Sequence, residues 1–163
     1  KKDYHAARAE GLYTGTYHYF SPSIPARLQA YNFLKRSYIK KGDLPPVLDV
    51  EPLPSQINKI GGPSVLFKNI RIWLRIVEHN TGSRPILYIS QSFVNRYLPL
   101  APDLERDYLV WIARYGEYKP DVHLVYWQLC PDGKVNGIHP KVDINVFNGY
   151  RGEFNKFVSK HTL

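Results

Sequence analysis

The chain has 163 residues, 44% hydrophobic and 22% charged, which is the composition of one ordinary globular domain. Its longest apolar run is too short for a membrane span, and its single cysteine, Cys130, excludes an intrachain disulfide. The net charge of +8 favours an anionic partner, but no nucleic-acid-binding signature and no metal-ligand spacing accompany it, so neither nucleic acid nor a metal is expected.

Helical and strand patterns alternate along the first two thirds of the chain. In chain order they predict a helix over 2–10, a strand over 14–20, a helix over 23–40, a strand over 46–51, a helix over 63–82, a strand over 85–90, a short helix over 91–97, strands over 108–113, 124–128 and 142–146, and a helix over 152–160. The helical spacing within 23–40 predicts a buried stripe of Leu28, Tyr31, Leu34 and Tyr38.

This order predicts the fold class. Alternating strands and helices indicate parallel βαβ units, and nearly continuous apolar strands indicate a sheet that is covered on both faces. The late strands lack helices between them, and residues 131–134 are predicted to form the turn between two of them. We therefore expect a single α/β domain over 1–163, built as an irregular TIM-like barrel with its functional groups at the carboxyl ends of the strands.

Two carboxylates end the strand over 46–51. Asp49 and Glu51 are two residues apart, so they project to the same face with Cα atoms roughly 6–7 Å apart. Two acids at this distance raise each other's cost of ionisation, so one can keep its proton while the other ionises, as glycosidic bond cleavage requires. The alternative is a pair of solvated or ion-paired carboxylates at a strand end.

Aromatic residues are numerous, with 13 Tyr, 3 Trp and 7 Phe, and many lie in or near the predicted strands. Sugar rings pack their C–H faces on aromatic rings, while Tyr and Trp keep a polar edge for hydroxyl groups. These rings therefore fit a sugar-binding groove, although core packing would use the same residues.

Six segments in order carry a family pattern: EGLYTGTYHYF (10–20), LPPVLDVEP (44–52), RPILYIS (84–90), LVWIARYG (109–116), VYWQL (125–129) and GIHPKVDINVFNG (137–149). Together they resemble glycoside hydrolase family 25, the bacterial and phage muramidases also called CH-type lysozymes. The resemblance implies a cofactor-free hydrolase on a modified β/α barrel. Its substrate would be the β-1,4 bond between N-acetylmuramic acid and N-acetylglucosamine in the glycan strands of peptidoglycan.

The same resemblance implies roles for individual residues. Glu51 would donate a proton to the leaving oxygen, and Asp49 would orient the substrate's acetamido group or stabilise positive charge. Asp143, in the motif D-x-N-x-F, would be the third site carboxylate, and strand alternation places it on one face with Asn145. The groove would be lined by Tyr17, Tyr19, Tyr88, Trp111 and Gln128. Direct displacement, covalent and substrate-assisted routes all stay open.

Family members begin with two strands, the first carrying an aspartate in a D-x-S-x-x-Q-like motif, and this sequence lacks that segment. We therefore expect an N-terminally incomplete barrel with an open edge beside Tyr17 and Tyr19. The resemblance also implies a secreted or cell-envelope protein that is a monomer when complete. An alternative is a catalytically silent peptidoglycan-binding domain of the same fold, although binding alone would not require the three carboxylates.

Overall fold

A computed structural model describes residues 2–114 and 124–163 of the chain. Its six strands form one curled sheet, in which neighbours in sequence are also neighbours in space. The first five strands run parallel and the sixth pairs antiparallel with the fifth. The strands are β1 (Tyr17–Tyr19), β2 (Val47–Val50), β3 (Ile86–Ser90), β4 (Leu109–Ala113), β5 (Leu124–Val135) and β6 (Ile138–Phe147).

Seven α-helices and one 3₁₀ turn, Leu98–Leu100, are found among the described residues. The helices are α1 (Lys2–Ala9), α2 (Ala26–Arg36), α3 (Pro54–Lys59), α4 (Pro63–Thr81), α5 (Gln91–Arg96), α6 (Pro102–Asp107) and α7 (Arg151–His161). In this part of the chain, no helix has both the length and the apolar character that crossing a membrane would need.

The main core lies between one face of the sheet and the helices α2 and α4. Leu48 and Leu87 project from the sheet into this core, where they join Phe33 of α2 and Trp73 of α4. Alternation along each strand turns the intervening residues to the other face, where Val47, Ile86 and Val125 form a smaller cluster. This second, curled face carries the polar and aromatic residues that the sequence singled out.

The prediction of an α/β fold with parallel strands is confirmed, and the described strands form an open half-barrel rather than a closed barrel. The predicted turn over 131–134 is wrong, because these residues lie inside β5. The chain turns instead at Asn136 and Gly137, where Gly137 has a φ of 87°. An Asn-Gly pair is a strong hairpin signal, and register shifts along β5 accommodate Pro131 and Gly133 within the strand.

The buried face of α2 also differs from the prediction. Leu28 is 62% exposed, and the buried residues are Ala26, Gln29, Ala30 and Phe33. Gln29 explains this rotation: its Nε2 donates hydrogen bonds to the carbonyl oxygens of Ser21 and Ile24, and its Oε1 accepts one from the Ser21 amide. A buried amide that satisfies three loop groups holds the helix with this face inward, against α4.

Candidate active site

One row of the sheet register brings four predicted site residues together. Tyr19 pairs with Asp49, Asp49 with Tyr88, and Tyr88 with Trp111 across the first four parallel strands. Residues in register on neighbouring strands point to the same face, so this row runs across the curled face of the sheet. Glu51 follows β2 directly, at the carboxyl end of that strand.

A cavity of about 250 Å³ lies on this face. Its lining residues are Tyr17, Val47, Asp49, Glu51, Tyr88, Trp111, Gln128, Asp143 and Asn145. We call it the acidic cavity. It collects every site residue that the sequence proposed except Tyr19, which lies on β1 with its side chain 58% exposed, outside the lining.

The two carboxylates of β2 have different surroundings. Asp49 is half-buried, and its Oδ1 is buried with no hydrogen-bond partner among the described residues. Burial, and then the negative charge of Glu51, raise the pKa of Asp49 to about 7. Glu51 is exposed. At neutral pH the pair therefore offers one carboxyl that readily keeps a proton beside one that faces solvent.

Hydrogen bonds fix the polar wall of the acidic cavity. The Tyr88 hydroxyl donates to Oε1 of the buried Gln128, which links β3 to β5. The Trp111 indole Nε1 donates to Oδ1 of Asn145 at 3.0 Å, which links β4 to β6 across β5. Asn145 pairs with Gln128 in the antiparallel register, so these two bonds meet at the same level of the hairpin.

Aromatic rings continue this wall. The rings of Tyr88 and Trp111 meet edge to face, with centroids 5.4 Å apart and planes at 87°. Trp111 also packs against Tyr126, with centroids 5.3 Å apart. Such contacts restrain the indole, which remains half-buried and lines the cavity.

Sequence reasoning placed Asn145 beside Asp143 but gave it no site role, and it did not single out Val47. The D-x-N alternation of β6 was the available signal for Asn145, because residues two apart on a strand share a face. Tyr115, one of the aromatic residues near the predicted strands, and the end of the segment 109–116 lie outside the described residues. Among the residues that are described, no group of three or more His, Cys, Asp or Glu side chains could hold a metal ion.

The chain is similar in sequence to a family of glycosyl hydrolases and to two curated proteins. The profile of Glycosyl hydrolases family 25 matches residues 1–138. The chain is 38% identical over 160 residues to YegX of Escherichia coli, covering 96% of this chain and 56% of that protein. It is 28% identical over 151 residues to an autolytic lysozyme of Clostridium acetobutylicum, covering 91% and 43%. The chain thus spans about half the length of the curated relatives it matches.

A solved structure extends the likeness to three dimensions. A family 25 glycosyl hydrolase from Bacillus anthracis superimposes with a TM-score of 0.81 at 27% sequence identity. The match covers 96% of this chain and 73% of that structure. The curled sheet and its helices therefore follow the architecture of that hydrolase.

Proposed function

The chain belongs to glycosyl hydrolases family 25, and on that premise we propose that it is a muramidase. Its substrate would be the glycan strand of bacterial peptidoglycan, cleaved at the β-1,4 bond between N-acetylmuramic acid and N-acetylglucosamine. The observation that carries the proposal is the acidic cavity, where Asp49, Glu51 and Asp143 lie beside an aromatic wall. Carboxylates supply the acid and the stabilising charge of glycoside hydrolysis, and the rings supply the surface on which a sugar packs.

The paired carboxylates support a division of labour. Glycoside hydrolysis needs one carboxylic acid to protonate the leaving oxygen. It also needs one carboxylate to stabilise the positive charge that develops on the sugar ring. We propose that Asp49 and Glu51 share one proton, held on Asp49 in the free protein. A sugar ring that covers the exposed Glu51 removes its water and favours its protonated form, so Glu51 delivers the proton. Asp49, then ionised, stabilises positive charge or binds the acetamido N–H.

Asp143 and the groove residues complete the proposed site. Asp143 is exposed on β6 and lines the cavity opposite β2, so it can hold a second acetamido N–H or a developing positive charge. Tyr17, Tyr88 and Trp111 would contact sugar rings, and Gln128 would orient Tyr88 through their hydrogen bond. Tyr19, outside the cavity lining, would contact a more distant sugar of the same strand.

The half-barrel also supports a proposal about the fold of the complete enzyme. We propose that the curled sheet is part of a TIM-like β/α barrel, since the hydrolase from Bacillus anthracis shares its architecture over 96% of this chain. An enzyme that acts on peptidoglycan works in the cell envelope or outside the cell, and we propose that location here.

The experiment that tests the proposal combines two readouts. Purified cell walls are incubated with the protein, and loss of turbidity is followed while new reducing ends are identified by mass spectrometry. A muramidase produces fragments that end in N-acetylmuramic acid. Binding to walls with no new reducing ends would instead identify a catalytically silent wall-binding domain.

A further inference from the structure

A second and larger cavity, of about 570 Å³, opens on the other side of Glu51. Its walls come from residues 51–54 after β2, from the end of β3 with α5, and from Ala113 and Arg114 at the end of β4. We call it the Arg96 cavity. Glu51 lines both cavities, so a ligand bound over Glu51 in the acidic cavity can extend directly into this one.

The charge of the Arg96 cavity differs from that of the acidic cavity. Arg96 and Arg114 line it, and Glu51 is the one acidic residue in its described lining. Arg96 is exposed, and its guanidinium lies 5.3 Å from the centre of the Tyr97 ring. Arg96 has no carboxylate partner within the described part of the chain, so it can bind an anion without breaking an internal ion pair.

Gln91 adds a hydrogen-bond acceptor to this cavity. Its Nε2 donates to Oδ1 of Asn95 at 2.8 Å, which fixes the orientation of the amide. Its Oε1 is buried and has no partner among the described residues. A buried acceptor without a partner is unfavourable, and a small rotation of the half-buried Gln91 side chain would present this oxygen to a ligand donor such as an amide N–H.

We propose that the Arg96 cavity binds the carboxylate-bearing peptide that substitutes the glycan strand, next to the bond held at Glu51. A peptide offers a carboxylate to Arg96 and amide N–H groups to Gln91, so it matches the polar groups of this lining. Leu53, 62% exposed, gives the small apolar side chains of such a peptide a surface to contact. This inference rests on the proposed function.

The test compares two soluble substrates made from the same glycan strands, one with its peptides intact and one stripped by an amidase. We expect the parent protein to have a kcat/KM about fivefold higher on peptide-bearing strands, the scale of one or two exposed charge contacts. Arg96→Ala should bring this ratio close to one, and Arg96→Glu should bring it below one. Arg27→Ala, at another exposed arginine, on α2, is the matched control and should keep the parent's ratio.

Each other outcome has a defined meaning. A parent that hydrolyses both substrates equally would overturn the peptide subsite and leave the muramidase proposal intact. An equal loss on both substrates in Arg96→Ala would assign Arg96 to a group that both strands carry, such as a sugar acetamido or lactyl carbonyl oxygen, and would also overturn it. If the parent hydrolyses neither substrate, the muramidase proposal fails. Calorimetry with the free peptide then tests the peptide subsite by itself. Binding that depends on Arg96 would support the subsite, and no binding would overturn it.

Discussion

Asp49 and Glu51 are separated by one residue, yet the fold gives them different environments. Asp49 lies within the sheet between Tyr19 and Tyr88, where neighbouring strands remove much of its water. Glu51 lies beyond the last residue of β2 and is exposed. The sequence predicted a coupled pair on one face. It could not predict which carboxyl keeps its proton in the free protein, because that depends on burial by strands distant in the chain.

Glu51→Gln tests the proposed proton donor. The substitution keeps the size of the side chain and removes its acidic proton, so we expect wall hydrolysis to fall by about 100-fold or more, the scale of general acid catalysis. Circular dichroism should match the parent and the melting temperature should be no lower, since Glu51 is exposed and its loss removes a repulsion on Asp49. Glu10→Gln, an exposed site far along the sequence from the cavity, is the control. Activity within about tenfold of the parent would remove Glu51 from the acid role.

Asp49→Asn should lower activity and raise stability at neutral pH. The pKa of Asp49 is raised to about 7 in the folded protein, above the value of about 3.9 in an unfolded chain. The folded state therefore binds more protons between these two values, and stability falls as pH rises through that window. Asparagine is neutral throughout, so the variant avoids this loss.

Thermal unfolding of the parent and of Asp49→Asn at pH 4 and pH 8 measures this effect. The melting temperature of the variant should exceed that of the parent by more at pH 8 than at pH 4. A difference that does not change with pH would show that Asp49 titrates alike in the folded and unfolded states, which would contradict the raised pKa.

Trp111→Phe tests whether the aromatic wall contacts sugar. Trp111 lines the acidic cavity, whereas Trp73 is fully buried in the main core. We expect soluble wall fragments to change tryptophan emission, and Trp111→Phe to remove most of that change. Trp127 lies one residue before Gln128, so it points to the opposite face of β5. Trp127→Phe should therefore keep the response, and the same loss in both variants would contradict a groove role for Trp111.

At the scale of elements, sequence patterns located all six strands. Strands β2 and β3 are mostly buried and read as continuous apolar segments, whereas β1 and β6 are largely exposed. Strand β1 is only Tyr17–Tyr19, shorter than the predicted 14–20. The short helices α3 and α6, each with proline in its first turn, were not predicted. Six residues give little periodicity, and here the prolines at the start of each segment were compatible with a loop as well as with a helical turn.

The β5–β6 hairpin was the largest error of element prediction, and it matters because it carries Asp143. Local chemistry at Pro131, Asp132 and Gly133 favoured a turn, but strand pairing with β6 continues through these residues. The placement of the candidate site residues on shared faces depends less on this hairpin. The D-x-E pair and the D-x-N pair needed only strand alternation, whereas the contact of Trp111 with Asn145 required the order of β4, β5 and β6 in the sheet.

Gly133→Ala tests how the hairpin positions Asp143. A methyl group at residue 133 would overlap the side chain of Ile144, the residue next to Asp143. Ile144 or the strand must shift, so we expect a loss of about 1–3 kcal/mol in stability, the usual cost of overpacking. Activity should fall by more than the unfolded fraction explains, because Asp143 moves with its neighbour.

Gly152→Ala is the matched control for the hairpin variant. A methyl group there meets no atom within 4 Å, and residue 152 lies in α7, where alanine is the better helix former. This control should be as stable as the parent or more stable, with unchanged activity. A Gly133→Ala variant with the parent's melting temperature and turnover would show that the hairpin does not hold Asp143 in place.

At the scale of the whole molecule, the net charge of +8 is the property that no single site explains. The basic residues are dispersed over helices and loops, and the acidic cavity itself is lined by three carboxylates. Under the proposed function, long-range attraction would act on an anionic wall as a whole, while the contacts at the cavity would select the bond. The two contributions can be separated, because only the first is screened strongly by salt.

We expect binding to purified cell walls to weaken several-fold as ionic strength rises from about 20 mM to about 300 mM, since the screening length shortens from roughly 20 Å to roughly 6 Å over this range. Co-sedimentation at each salt concentration measures the affinity. Uncharged N-acetylglucosamine oligomers, whose binding depends on ring contacts and hydrogen bonds, should show little change. Duplex DNA is the informative competitor, because a nucleic-acid-binding protein would bind it more tightly than walls at low salt and lose that affinity steeply. Wall binding that does not depend on salt would show that the positive charge serves solubility rather than recognition of an anionic surface.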